Sequence, residues 1–224
     1  LGLKVTLNTC ESNTEGNATF AIGHFALGYL SGKGSSRALK VKANLPLLLT
    51  VSVLPDIDLI FRFLQHRGPT HSLITFTVLM IPFFIVYRKR AVPYYAALLS
   101  HSLIGDFFTG GVELFWPISH SMFGLDIGVR SMTSVTIELA LFAVTLVLLV
   151  GTRDIKELLR PGNHNLVLFI AFGAVLGPMF QFGRGYEQFL PSLLVVPSLF
   201  YLGLFAYSMF IDLWSKLRNT ASAG

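Results

Sequence analysis

Apolar residues run through this chain in long blocks, and polar residues are confined to the breaks between them. Seven blocks stand out, at 20–30, 44–64, 71–87, 93–108, 134–150, 166–182 and 190–213. Crossing a bilayer as a helix takes about 20 residues. The first block is too short for that and is read as a half-helix or an interfacial helix. Pro55 interrupts the second and is expected to kink or restart it. Between the blocks lie a basic, Gly- and Ser-rich loop at 31–42 and a turn at 65–70 containing Gly68 and Pro69. Thr70 is expected to cap a helix opening at His71. The triplet Arg88-Lys89-Arg90, a long irregular stretch at 109–133 and a charged loop at 153–160 follow. The pattern predicts an all-α, polytopic integral membrane protein of six or seven helical segments. A polar N-terminal arm covers 1–19, a membrane region 20–133, and a helical membrane scaffold 134–224 that forms one structural domain with 20–133.

Composition sharpens this. Of the 224 residues, 53% are hydrophobic and only 13% charged, about half the charged fraction of a soluble domain. The net charge of +5 does not point to nucleic acid, because the basic residues sit in short loops between apolar blocks. If successive segments alternate across the membrane, the loops at 33–42, 88–90, 153–160 and 216–218 share one face and hold twelve Lys or Arg. The other face holds Lys4, Arg62, Arg67, Arg130 and Arg184. Positive residues favour the cytoplasm, so the chain is expected in the inner or plasma membrane with its other face extracytoplasmic. A single cysteine, Cys10, rules out an internal disulfide and a cysteine-based zinc site.

The exceptions to the apolar pattern carry the chemistry. Asp56, Asp58, His66 and His71 fall within nineteen residues, 54–72, flanked by hydrocarbon. Carboxylates and imidazoles are costly there, and they are also ligands for divalent metals. Asp56 and Asp58 are two apart and point to nearly opposite sides of a regular helix. The favoured reading makes Asp56 a ligand and Asp58 the group that orients a neighbouring His; the plain alternative is two carboxylates at a wet helix end. Arg67 and the helix start at His71 suit a phosphate, or Arg67 simply meets lipid headgroups. His101 and Asp106 are five apart, about 140° around a regular helix, and Gly105 permits a bulge that would bring them together. Asp56, Asp58, His66, His71 and Asp106 fall toward the extracytoplasmic side, joined by His24 if the short helix starts there, and His101 lies deeper, about one helical turn or more below Asp106. His120 and Glu113 sit in a loop read as exposed, and His164 lies on the cytoplasmic side.

Four stretches taken in order carry a family resemblance. They are Gly23-His24-Phe25-Ala26, Leu54-Pro55-Asp56-Ile57-Asp58, and His66-Arg67-Gly68-Pro69-Thr70-His71-Ser72. The fourth runs from His101 to Asp106, followed by Thr109-Gly110-Gly111 and Trp116-Pro117. Over roughly residues 20–120 the chain resembles the YdjM-type family of inner-membrane proteins, read as metal-dependent hydrolases and also known as LexA-binding or DUF457 proteins. That family is distantly similar to zinc-dependent phospholipase C and P1-type nucleases. The resemblance implies metal ligands at His24, Asp56, His66, His71, His101 and Asp106, with zinc as the expected ion. The family's third motif is expected as His-x-x-x-Asp, and this chain has one residue more.

The expectation is a membrane-embedded, metal-dependent hydrolase acting on a phosphoester such as a phospholipid. Asp58 and Arg67 are its catalytic candidates, membrane lipid its partner, and no nucleic acid is involved. Two alternatives come from other classes. One is a transporter or metal-handling protein, whose path needs polar groups continuing to the inner face. The other is a non-catalytic membrane protein with a structural metal, because closed and open sites use the same ligands.

Overall fold

A computed structural model describes residues 20–59, 65–125, 127–162, 164–180 and 190–221. The arm at 1–19, Arg62 and Arg184 lie outside the described residues. Those described are helical, apart from loops and one isolated bridge between Val112 and Phe123.

The central helix is α1, Ala21–Ala38. It does not stop near residue 30 as its composition suggests, but continues through the Gly/Ser-rich stretch. Gly28 and Gly32 are where another helix comes close. A Cβ at Gly28 would collide with Ser52, and one at Gly32 with Leu48. Both partners belong to α2, Leu45–Ser52. Ser31 and Ser35 turn their hydroxyls back onto the carbonyls of Leu27 and Gly32, at 2.7 and 3.0 Å. Helix propensity alone disfavours Gly and Ser; tertiary packing overrides it.

Asn44 opens α2, its Oδ1 accepting from the Leu47 amide at 3.0 Å. The helix ends at Ser52, three residues before Pro55, and the chain tightens into a 3-10 turn over Leu54–Leu59. The break at Pro55 is as expected. The next cap is not: α3, Leu73–Tyr87, is capped by Ser72, whose Oγ accepts from the Ile74 amide at 3.2 Å. Pro69–His71 is a separate 3-10 turn, and it leaves the Thr70 hydroxyl free for other work. Arg88–Arg90 closes α3. Then α4 (Val92–Ser100), a π-helical turn (His101–Asp106) and α5 (Phe107–Thr109) follow without a gap.

The C-terminal half comprises α6 (Met132–Gly151), α7 (Ile155–Leu158), α8 (Leu168–Phe180) and α9 (Ser192–Ala221). Its apolar residues share one core with α1. Phe25 packs on Tyr201 and Phe205 of α9, with ring centroids 5.0 and 5.2 Å apart, and Val135, Leu149, Ala171 and Val175 close around them.

Two helices among the described residues, α6 and α9, are long and apolar enough to cross a membrane. This corrects the expectation of six or seven such segments. The other apolar blocks do form helices, but Pro55 cuts the second short, α3 has 15 residues and α8 has 13. The block after Arg90 is divided by the π-helical turn and carries buried polar groups. A feature common to α3, α6, α8 and α9 is a set of large apolar side chains facing outward, among them Ile85, Val147, Phe169 and Val196.

The polar residues of α1 gather at its two ends. Near its C-terminus Lys33 Nζ lies 3.1 Å from Asp154 Oδ1 and 3.3 Å from Glu157 Oε1. Tyr29 donates to Asp154 Oδ2 at 2.9 Å, and Glu157 Oε2 accepts from the Leu45 amide at 3.1 Å. Asn44 N–H donates to Tyr94 at 2.9 Å, which ties the start of α4 to the same end. The basic loops at 33–42, 88–90 and 153–160 therefore meet at one end of the molecule. His24 lies nine residues before Lys33, about 13 Å along the helix, and belongs to the other end.

Candidate metal centre

Three breaks in regular structure build this end. The first is the end of α2. The last carbonyls of a helix have no acceptor role within it, and the Ser52 carbonyl lies 2.7 Å from His101 Nδ1. The 3-10 turn after it presents Asp56 and Asp58. The second is the turn at Pro69–His71, which presents His71. The third is the π-helical turn. Widening the backbone bonds from i+4 to i+5 brings residues five apart onto one face. His101 and Asp106 therefore converge, with His101 Nε2 3.1 Å from Asp106 Oδ2. Gly105 inside that turn is required, because a Cβ there would meet the His24 ring at 2.5 Å. His24 stacks on His101, centroids 3.8 Å apart and planes 17° from parallel.

Four atoms form the centre: His71 Nε2, His101 Nε2, Asp56 Oδ1 and Asp106 Oδ2. Five of the six separations are 3.0 Å (His71–Asp106), 3.1 Å (His101–Asp106), 3.2 Å (His71–His101), 3.4 Å (His101–Asp56) and 3.5 Å (His71–Asp56). A tetrahedral zinc site with ligands at about 2.0–2.1 Å has edges of about 3.3–3.4 Å. The remaining hydrogen bonds fix the rings. The Ser52 carbonyl only accepts, so His101 Nδ1 carries a proton, and in the neutral ring Nε2 faces the centre with its lone pair. His71 Nδ1 lies 3.0 Å from Thr70 Oγ1 and 3.3 Å from Asp58 Oδ2. Thr70 gives its own proton to Asp58 at 2.6 Å, so His71 Nδ1 is also a donor. Two ring lone pairs and two carboxylate oxygens then converge in a space closed to water. A proton satisfies one pair of them; a divalent cation satisfies all four. The residues present therefore fit a metal ion.

The other candidates surround this quartet. His24 is buried, and neither of its ring nitrogens makes a hydrogen bond among the described residues; its Nε2 is 3.7 Å from Asp106 Oδ1. Asp58 is second in line, as the sequence suggests, holding His71 and also His66 Nδ1 at 3.1 Å. His66 is 21% exposed, while the quartet is buried, so it stands on the way out. Two groupings have ligand atoms within 4.8 Å of one another: His24, Asp56, His101 and Asp106, and Asp56, His66 and His71. Arg67 is buried, which departs from the headgroup reading. Its Nη2 donates to Thr109 Oγ1 at 3.0 Å and lies 3.6 Å from Asp106 Oδ1. Gly110 makes room for it, since any Cβ there would collide with the guanidinium.

Sequence reasoning missed four contributors. Ser52 acts through a main-chain carbonyl, for which the break before Pro55 was the available signal. Thr70 reads as a cap but orients Asp58. Thr109 receives Arg67. Glu113 was read as exposed, yet it is buried and takes Gln65 Nε2 at 3.1 Å and His120 Nδ1 at 3.3 Å. The reason is that the 110–123 stretch folds back over the site: the Leu114 carbonyl accepts from the Leu73 amide, and the Glu113 amide donates to the Arg67 carbonyl. His120 itself is 71% exposed and is not among the metal-competent groupings. His164 lies at the opposite end, beside Asn44.

No curated protein and no solved structure matches the chain. The model of one family does, described as YdjM inner membrane protein, over residues 19–185. The match takes in every residue of the centre and continues through α6, α7 and α8, well past the motifs that suggested it. The chain is a membrane protein and belongs to the YdjM inner membrane protein family.

Proposed function

We propose that this protein is a membrane-embedded, metal-dependent hydrolase of phosphoesters, with a phospholipid as the natural substrate class. The observation that carries the reading is the convergence of His71, His101, Asp56 and Asp106 with both imidazole lone pairs turned inward. The donor set, two nitrogens and two oxygens, suits zinc. An ion held there supplies Lewis acidity toward a phosphoryl oxygen and a bound water of lowered pKa. The chain supplies the rest. Asp58 and the Ser52 carbonyl keep protons on the outer nitrogens of His71 and His101. Arg67 reaches Asp106 from the side and is placed to hold an anionic oxygen. The buried His66 Nε2 makes no hydrogen bond among the described residues and offers a proton acceptor beside the His71 ring.

The protein is proposed to be multi-pass. Outward apolar side chains on α3 and α8, as well as on α6 and α9, need lipid around more than two helices. The gathering of the basic loops at one end supports a cytoplasmic side there, and with it an extracytoplasmic orientation for the metal centre.

One observation favours a second reading. Four protein ligands complete a tetrahedron, as in closed structural zinc sites, whereas catalytic sites keep a position open. A purely structural ion leaves the buried His24 ring and the His66 Nε2 without a task, which is why hydrolysis is preferred. Elemental analysis of the detergent-purified protein tests the metal, with near-stoichiometric divalent ion expected in the parent and none in His71→Ala. Turnover of phosphodiester and phosphomonoester lipids, lost in Arg67→Ala with metal retained, supports the hydrolase. Full metal content with no turnover of any phosphoester supports the structural reading instead.

A further inference from the structure

The opposite end of the molecule holds a cavity of about 280 Å³ between the start of α2, α7 and the loop entering α8. Asn44, Lys156, Glu157, Arg160 and Asn165 supply its polar lining. The one carboxylate is already committed. Glu157 Oε1 takes Lys33 at 3.3 Å and Oε2 takes the Leu45 amide at 3.1 Å. Lys156 and Arg160 have no ion-pair partner among the described residues, so the cavity presents two uncompensated cations. The floor is rigid, since Asn165 is buried and its Nδ2 donates to the carbonyls of Arg160 and Ser208 at 2.9 and 3.3 Å.

The surroundings say what kind of anion fits. Leu159 and Leu166 flank the basic residues and are both 42% exposed, and Phe169, one turn further along, is 71% exposed. The residues next to this basic lining, Leu159 before Arg160 and Leu166 after Asn165, thus turn apolar side chains outward on a membrane protein. A soluble anion has no use for that surface, whereas a phospholipid occupies both parts, phosphate in the pocket and acyl chain along α8. We infer that Lys156 and Arg160 form a headgroup site for an anionic phospholipid, on the face away from the metal centre. The site is independent of any hydrolase activity. It binds lipid on the side where the protein's charge predicts cytoplasm, and so seats α7 and α8 in the leaflet.

The test uses the full chain in mixed micelles with phosphatidylglycerol or phosphatidylcholine, and retained lipid is counted by native mass spectrometry. Each basic residue at an anionic surface changes affinity about fivefold. The parent is expected to prefer phosphatidylglycerol, and Lys156→Gln/Arg160→Gln to lose roughly 25-fold of that preference. The charge-conserving Lys156→Arg/Arg160→Lys pair is expected to keep it. Metal content of each variant, unchanged from the parent, serves as the folding check. A glutamine pair that prefers phosphatidylglycerol as strongly as the parent overturns the assignment. So does inorganic phosphate that displaces the lipid at millimolar concentration, which would make the cavity a site for a soluble anion.

Discussion

The two ends of α1 use carboxylates to opposite effect. At the basic end every carboxylate meets a donor: Asp154 takes Tyr29 and Lys33, and Glu157 takes Lys33 and the Leu45 amide. At the other end the acceptors face one another, with two imidazole nitrogens 3.2 Å apart and two carboxylate oxygens against them. A satisfied polar network ties elements together and asks for nothing more. An assembly of converging acceptors asks for a cation. The contrast separates a latch from a binding site without reference to residue identity.

The largest break in the comparison comes from removing a member of the quartet. His101→Ala is expected to abolish metal binding. Chelation of the parent should lower its melting temperature, corresponding to about 4 kcal/mol if the metal was present at a thousandfold its Kd. His101→Ala should show no shift with chelator; a parent indifferent to chelation ends the metal reading. Next comes Gly105→Ala. The added methyl meets the His24 ring, and forcing a methyl into a packed core costs about 1–3 kcal/mol. Urea or thermal unfolding should show that loss, and Gly34→Ala, which meets nothing, should not.

Asp58→Asn sharpens the contrast rather than breaking it. The residue touches no lone pair of the quartet but holds His71 in place. Metal affinity is expected to fall about 10–100-fold, with full occupancy regained at high metal concentration; competition with a fluorescent chelator reads the difference. At the basic end, Lys33→Met should leave metal content unchanged and cost about 1 kcal/mol or less, as partly exposed ion pairs do. A loss of metal in that variant would mean the two ends are not separable.

The smallest effect is one of pH. Burial alone would raise the Asp154 pKa, but the Tyr29 hydroxyl and Lys33 hold it below the ordinary value. A depressed carboxylate contributes stability above its unfolded pKa, about 4, and loses it as pH falls through the folded value. The stability gap between the parent and Asp154→Asn should therefore be constant near neutrality and shrink below about pH 4. A gap that widens on acidification contradicts the assignment.

Much of the metal end was legible because it rests on local rules. Pro55 ends a helix wherever it stands, and Asp56 and Asp58 could not share one face of a regular helix. The five-residue gap between His101 and Asp106, with Gly105 inside, asked for a bulge, and a π-helical turn is that bulge. The basic loops fell at one end, as their spacing between apolar blocks required.

What failed was decided by packing. No local rule extends α1 through Gly28, Gly32 and Ser35 to Ala38; those residues favour helix only because α2 lies against them. The choice of Ser72 over Thr70 as a cap, the burial of Glu113 under a folded-back loop and the use of the Ser52 carbonyl all involve partners 40 or more residues away. The sequence by itself determined the material: an apolar, helical membrane chain with a small set of His and Asp at helix breaks. Its charge pattern separated two ends. Only the tertiary structure decided which lone pairs meet. A side chain's type sets what it can bind, but the free energy of burying it depends on the atoms opposite, and those come from distant parts of the chain.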